Sequence, residues 1–147
     1  MDMDQQLSMV TLGVEDLATS RRFYSEGLGW TPLLDLDEVV FYQVGRGVAL
    51  ALFPLADLAA DTGAPATPGT PFTLARNLGS PAEVDTAVAR AREAGANVLK
   101  EPQRAAFGGY HAYFTDPDGH RWEICHNPGW SVSEDGTVRL TAVDPEK

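Results

Sequence analysis

Cysteine is almost missing from this chain: Cys125 stands alone among 147 residues. A single thiol excludes an intrachain disulfide framework and agrees with a reducing cytoplasm, the compartment expected here. Long apolar runs are missing too. The longest, VALALF at residues 48–53, is far shorter than the roughly 20 residues a membrane-spanning helix needs. The opening MDMDQQ is acidic and polar, unlike the basic-then-apolar start of a secretory signal. Basic residues are scarce, with 11 Lys and Arg against 21 Asp and Glu, a formal net charge of −10. Such a field repels nucleic acid and anionic membrane, so neither is expected as a partner. It favours a cationic ligand where carboxylates gather at a mouth, and otherwise serves solubility.

What is present is a repeated order of elements. Residues 7–14 (LSMVTLGV) read as a strand. Asp16 then precedes LATSRRFYSEG, where Leu17, Phe23 and Tyr24 share one side of a helix that Gly27 or Gly29 would stop. Strand-like runs follow at 30–36, 39–45 and 48–53, the last two joined by a turn at Gly45-Arg46-Gly47. The order then restarts with a strand at 72–78. Ser80-Pro81-Ala82-Glu83 has the form of a capping box with proline at the first helical position, and Val84, Val88 and Ala91 line an apolar stripe ended by Gly95. Strands are expected at 96–100, 110–115 and 120–126. Each half is strand, helix, strand, strand, strand, with an offset of about 65 residues.

These boundaries predict a single domain over 1–147. Its parts are a first module at about 5–54, a linker at 55–71, a second module at about 72–128 and a tail at 129–147. The linker is rich in Pro, Ala, Gly and Thr, with one short helical turn at 55–61. The tail holds a turn at Glu134-Asp135-Gly136 and a short strand at 137–140, and residues 144–147 are expected to fray.

The richest stretch is YHAYFTDPDGHRWEICH, residues 110–126. Pro117 presets φ for a turn and Gly119 supplies the positive φ that closes a hairpin. On the return strand, Trp122 and Ile124 point to one face, and Arg121, Glu123 and Cys125 to the other. A carboxylate among apolar neighbours costs free energy unless something pairs with it. Counting across the hairpin puts His111 and Tyr113 on the Glu123 face. By the same parity, His126 and His120 fall on the opposite face, with His120 expected at the surface beside the turn.

The double pattern, with its opening TLGVEDLATSRRFYSEGLGW and closing YFTDPDGHRWEI, resembles the vicinal oxygen chelate superfamily over about residues 7–126. That superfamily includes glyoxalase I, extradiol dioxygenases, fosfomycin-resistance transferases and bleomycin-binding proteins. The resemblance implies an α+β fold of two βαβββ modules whose curved sheets surround a concave cavity, and a homodimer. Enzymes of the family hold a divalent metal there through four inward positions. Two open coordination sites then let adjacent oxygens of a substrate chelate and be polarised. Carried onto this sequence, the four positions fall at Met9, near Ala51, at Phe72 or Thr73, and at Glu123. Only Glu123 is of a type that suits such an ion. No cofactor is therefore expected.

The resemblance then implies a metal-free protein that binds a small molecule, cationic or aromatic, as bleomycin-binding relatives do. Its alternative is a lyase, isomerase or transferase. There Glu123 and His111 would serve as acid and base, with Glu123 poised by a raised pKa and Tyr113 donating to a developing oxyanion. In a variant of that alternative, His111 and Glu123 hold a divalent metal weakly. A third class, an interaction module whose interior is filled by Met9, Phe72 and Trp30, stays open. Candidate ligand contacts are Thr11 and Gln43 by hydrogen bonding and Met9, Trp30, Phe53 and Phe72 as apolar wall. Arg121 would neutralise Glu123, and Arg76 would either meet an anion or run its stem along the sheet to solvent. Glu123 has a plain structural reading as well, satisfied by Arg121 or buried water. Cys125 is expected to be inert packing, and Phe107-Gly108-Gly109 a flexible loop that no helix turns into a phosphate cradle.

Overall fold

The computed structural model describes residues 5–69 and 72–144. The start of the acidic N-terminus, the end of the linker at 70–71 and the last three residues of the tail lie outside them. The chain divides into two compact units between Pro68 and Gly69, and each repeats one topology.

The first unit runs β1 (Met9–Val14), α1 (Leu17–Arg21), β2 (Leu34–Asp35), β3 (Val40–Gly45), β4 (Val48–Pro54) and α2 (Leu55–Thr62). Its sheet has the order β1-β4-β3-β2, with β1 parallel to β4 and the other pairs antiparallel. Asp16 starts α1 by accepting from the backbone N–H of Ala18 at 2.9 Å and of Thr19 at 3.3 Å, as an N-cap carboxylate should. The helix widens into a π-helical stretch over Arg22–Gly27, closed by Leu28 N donating to Phe23 O at 2.9 Å. Leu17, Phe23 and Tyr24 are buried, as are Leu12, Val14, Val40, Tyr42, Leu50 and Leu52 on one face of the sheet. Each such side chain contributes roughly 1.5–3 kcal/mol by leaving water.

The second unit runs β5 (Thr73–Asn77), α3 (Pro81–Glu93), β6 (Asn97–Arg104), β7 (Tyr110–Thr115) and β8 (Arg121–His126), then β9 (Trp130–Val132) and β10 (Val138–Leu140). Its main sheet has the order β5-β8-β7-β6, again with the first strand parallel to the last. Ser80 caps α3: its Oγ accepts from Glu83 N at 3.2 Å, and the Glu83 side chain returns to the Ser80 hydroxyl, which donates to Oε2 at 3.1 Å. Val84, Val88 and Ala91 are buried, as are Ala112, Phe114, Trp122 and Ile124. Phe114 and Trp122 stack at 6.5 Å.

Several boundaries differ from expectation for physical reasons. Only Leu34 and Asp35 of the run 30–36 form a strand, because Trp30 N bonds Tyr24 O and its ring joins Tyr24 and Tyr42 at 5.2 and 5.5 Å. The linker turn is a full helix, α2, ended by Gly63 at φ 77°. Leu55 and Leu58 of α2 lie so close to Gly13 that a Cβ there would come within 2.7 and 2.9 Å of them. The run expected at 96–100 extends to Arg104 through two bulges, and an edge strand tolerates Pro102 within it. The tail strand has a partner, β9, and the two form a separate ribbon. No helix among the described residues is long and apolar enough to cross a membrane.

Candidate functional site

Because side chains alternate along strands, the pairings of β5, β8, β7 and β6 fix which residues share the face turned away from the buried apolar row. Ala75, Glu123, Tyr113 and Lys100 form one row across the four strands. On one side lies the row Thr73, Arg121, Thr115, Asn97; on the other lies Asn77, Cys125, His111, Gln103. The sheet therefore brings Glu123, His111, Tyr113, Arg121 and Cys125 to one surface.

Glu123 is the centre of a hydrogen-bonded cluster. Tyr113 Oη donates to Glu123 Oε2 at 2.8 Å, and His111 Nδ1 lies 3.2 Å from the same oxygen. The His111 ring meets Phe107 and Tyr113 edge to face, at 5.9 and 5.6 Å. It is thereby wedged with Nδ1 towards the carboxylate. Burial, followed by the bond to Glu123 and its charge, pushes the Tyr113 phenol up to about 12, so it stays protonated and donating at neutral pH. Burial and then the Glu123 charge push the Cys125 thiol up to about 11. Glu123 Oε1 has no hydrogen-bond partner among the described residues.

The other candidates take different places. Arg121 shares the Glu123 face but makes no ion pair among the described residues, so it is not the counter-ion expected for that carboxylate. Arg76 pairs in register with Ile124, which puts it on the opposite face, and its guanidinium donates to the backbone oxygen of Asn77. Phe72 precedes β5 and is half exposed. In the first unit, Met9, Thr11, Ala51, Phe53 and Gln43 share the face opposite the buried Leu12 and Leu50. The Gln43 amide turns back to Gly45 O at 3.2 Å. Phe53 lines a cavity of about 430 Å³ with Glu38, Asp57, Ala60 and Asp61. Trp30 is no part of that face: its ring packs against Tyr42, which belongs to the buried row.

His120 is buried, not at the surface, because it completes the turn at 116–120. Asp116 Oδ1 accepts from Asp118 N at 3.0 Å and His120 N at 2.9 Å, and His120 Nδ1 lies 2.8 Å from Oδ2. Ligand-type atoms of Asp116, Asp118 and His120 lie within 4.8 Å of one another, but these bonds occupy the Asp116 carboxylate inside the turn. His126 faces away from Glu123 as expected, with Nδ1 3.1 Å from Leu78 O. Gly109 is closely packed rather than open: a Cβ there would lie 2.5 Å from His126 O and 2.4 Å from the Phe107 ring.

The internal repeat resolves the third metal position carried over by resemblance. Met9 pairs with Ala49 and Thr11 with Ala51; in the second unit Thr73 pairs with Arg121 and Ala75 with Glu123. Thr73, not Phe72, thus repeats Met9. Thioether, methyl and hydroxyl groups with one carboxylate are not a donor set for a tightly held divalent ion. The one carboxylate also has an oxygen engaged by two neighbours. These residues do not fit the family's metal.

Lys100 escaped the sequence reading, and Phe107 entered it only as part of a loop, not as a contact of His111. Simple alternation from Val98 places Lys100 on the far face, but the bulge at Leu99 brings it level with Tyr113. Phe107 lies in a turn whose only sequence signal was its glycines.

Comparison with known proteins agrees with the repeat. A glyoxalase-related enzyme from Fulvimarina pelagi is 39% identical, with a TM-score of 0.86 over 94% of this chain and 99% of its own. A glyoxalase/bleomycin resistance protein/dioxygenase from Nocardioides is 29% identical, with a TM-score of 0.72 over 86% and 85%. A lactoylglutathione lyase from Agrobacterium tumefaciens, 22% identical with a TM-score of 0.67 over 86% and 96%, shares the fold. No curated protein matches the sequence. The family profile itself matches residues 6–124, and the chain belongs to the Glyoxalase/Bleomycin resistance protein/Dioxygenase superfamily.

Proposed function

We propose that the protein binds a small organic molecule on the Glu123 face of its second unit, without a divalent metal held by its side chains. The observation that carries this reading is the use of Glu123. Tyr113 and His111 both address Oε2, which orients the carboxylate and leaves Oε1 as an acceptor for a ligand N–H or O–H. Such a preorganised acceptor binds a donor without first breaking an internal bond. A screen of aromatic, cationic, anionic and glycopeptide compounds by thermal shift and equilibrium dialysis tests it. The expected result is saturable binding that Glu123→Ala weakens at least tenfold; no hit at micromolar concentration rejects it.

One observation favours turnover as a second reading. With Nδ1–H held by Glu123, His111 presents Nε2 with a lone pair, the orientation a carboxylate gives to a general base. Nε2 would take a proton from carbon beside a substrate carbonyl, and the Glu123 charge would stabilise the resulting imidazolium. The similarity to a glyoxalase-related enzyme supports the idea. Exchange of such protons for deuterium in small α-hydroxyketones, followed by NMR, checks it. Exchange should vanish in His111→Asn; an unchanged rate there rejects the base.

A further inference from the structure

The Glu123 face carries three formally charged strand residues, Glu123, Arg121 and Lys100, and two of the three are cations. This happens in a chain whose net charge is −10. Neither cation has an ion pair or hydrogen bond among the described residues, whereas Arg21 is held by Asp35 and Arg92 by Glu101. Their placement is a matter of register. Arg121 lies two residues from Glu123 on one strand, about 6.6 Å away. Lys100 lies two strands across in the Glu123 row, about 10 Å away, moved there by the bulge at Leu99.

Exposed charges farther apart than about 8 Å are largely screened at physiological salt. The local pair of cations therefore acts on a docked ligand more strongly than the acidic surface at large. Both side chains are long enough for their heads to meet a group seated above Tyr113 and Thr115. Glu123, already oriented, requires a donor beside that group.

We infer that the ligand of the Glu123 face is a small organic anion. Its carboxylate or phosphate is held between Arg121 and Lys100, and an adjacent hydroxyl or N–H donates to Glu123 Oε1. Arg121 and Lys100 are then the specificity-determining residues of the site. The inference rests on the reading that this face binds a small molecule, and it reverses the cation preference that net charge alone suggests.

The test is an NMR titration of the full ¹⁵N-labelled chain with mandelate, phenyl phosphate and mandelamide at fixed ionic strength, following the backbone amides of β7 and β8. At least one anion should saturate the shifts and bind about tenfold or more tightly than the neutral amide, since charge-assisted hydrogen bonds are the stronger class. The tighter of the two anions identifies carboxylate or phosphate. Arg121→Gln and Lys100→Gln should each weaken the anion about tenfold and leave mandelamide unchanged, which also reports an intact fold; Arg121→Lys should recover part of the loss. Equal affinity for mandelamide, or an anion affinity that neither substitution moves, overturns the inference and leaves small-molecule binding standing. Cationic or neutral hits at this face with no response to either anion do the same. No response to any compound, in this titration and the wider screen, overturns both.

Discussion

Tyr113 Oη and His111 Nδ1 converge on a single oxygen of Glu123, at 2.8 and 3.2 Å. Burial first, and then this bond and the Glu123 charge, make the phenol keep its proton, and its pKa rises from 10.0 to about 12 in the folded state. Between these values the folded protein binds a proton that the unfolded chain has lost, so stability falls as pH rises. The contribution is complete below pH 10 and gone above about 12. Urea unfolding measured from pH 9 to 12 should show this loss, and Tyr113→Phe should make it shallower, leaving the part due to Cys125, Tyr42 and Tyr110. An unchanged slope in that variant would reject the Tyr113–Glu123 bond.

The same geometry sets the tautomer of His111. A ring nitrogen 3.2 Å from a carboxylate oxygen is the donor when the imidazole is neutral, so Nδ1 carries the hydrogen and Nε2 is bare. Long-range ¹H–¹⁵N correlation spectra at pH 8 should show this form dominant. In Glu123→Ala the ring should drift towards the Nε2–H tautomer that free imidazole prefers. A dominant Nε2–H form in the unmodified protein would remove the basis for proton transfer at His111.

Asp116 is predicted to matter for folding rather than for ligand binding. Its buried carboxylate accepts two backbone N–H groups and faces His120 Nδ1. Leaving buried donors without their acceptor costs about 1–3 kcal/mol each, so losing two costs about 2–6 kcal/mol and lowers Tm in a chain of this size by roughly 4–24 °C. Asp116→Ala should fall in that range, measured by calorimetry. Since the carboxylate is spent on N–H donors, EDTA should leave Tm within about 1 °C, the scale of a small fraction of one kcal/mol. A rise of several degrees with millimolar calcium, manganese or zinc would instead assign an ion to Asp116, Asp118 and His120.

Legibility in the sequence followed the range of the physics involved. The repeated strand–helix–strand pattern and the hairpin at 110–126 were readable because alternation and capping are local. The Glu123, His111 and Tyr113 face followed from parity alone, and β7 and β8 pair without a bulge. Lys100 was not readable, since one extra residue in β6 inverts the parity until the second bulge, before Gln103, restores it. Arg76 became assignable only with the β5–β8 register, and Trp30 only with its contacts to Tyr24 and Tyr42. The buried state of His120 was hidden for another reason: a turn next to Asp-Pro-Asp-Gly suggests solvent, whereas Asp116 folds back to hold the ring inside.

Cys125 gives the sharpest chemical contrast with its neighbours. It sits in the row of His111, is 3% exposed, and its thiol is pushed up to about 11 by burial and by the Glu123 charge. Because the thiolate is the reactive form, alkylation by iodoacetamide at pH 8 should run roughly a hundredfold slower than that of a free cysteine. The rate should recover in denaturant. Glu123→Gln removes the neighbouring negative charge, lowers the thiol pKa and should speed alkylation, provided the fold is retained by calorimetry. Rapid modification of the native protein at pH 8 would mean that Cys125 is both accessible and ionised. It would then have to be counted as a nucleophile beside the proposed base His111, and the reading of this thiol as inert packing would fail.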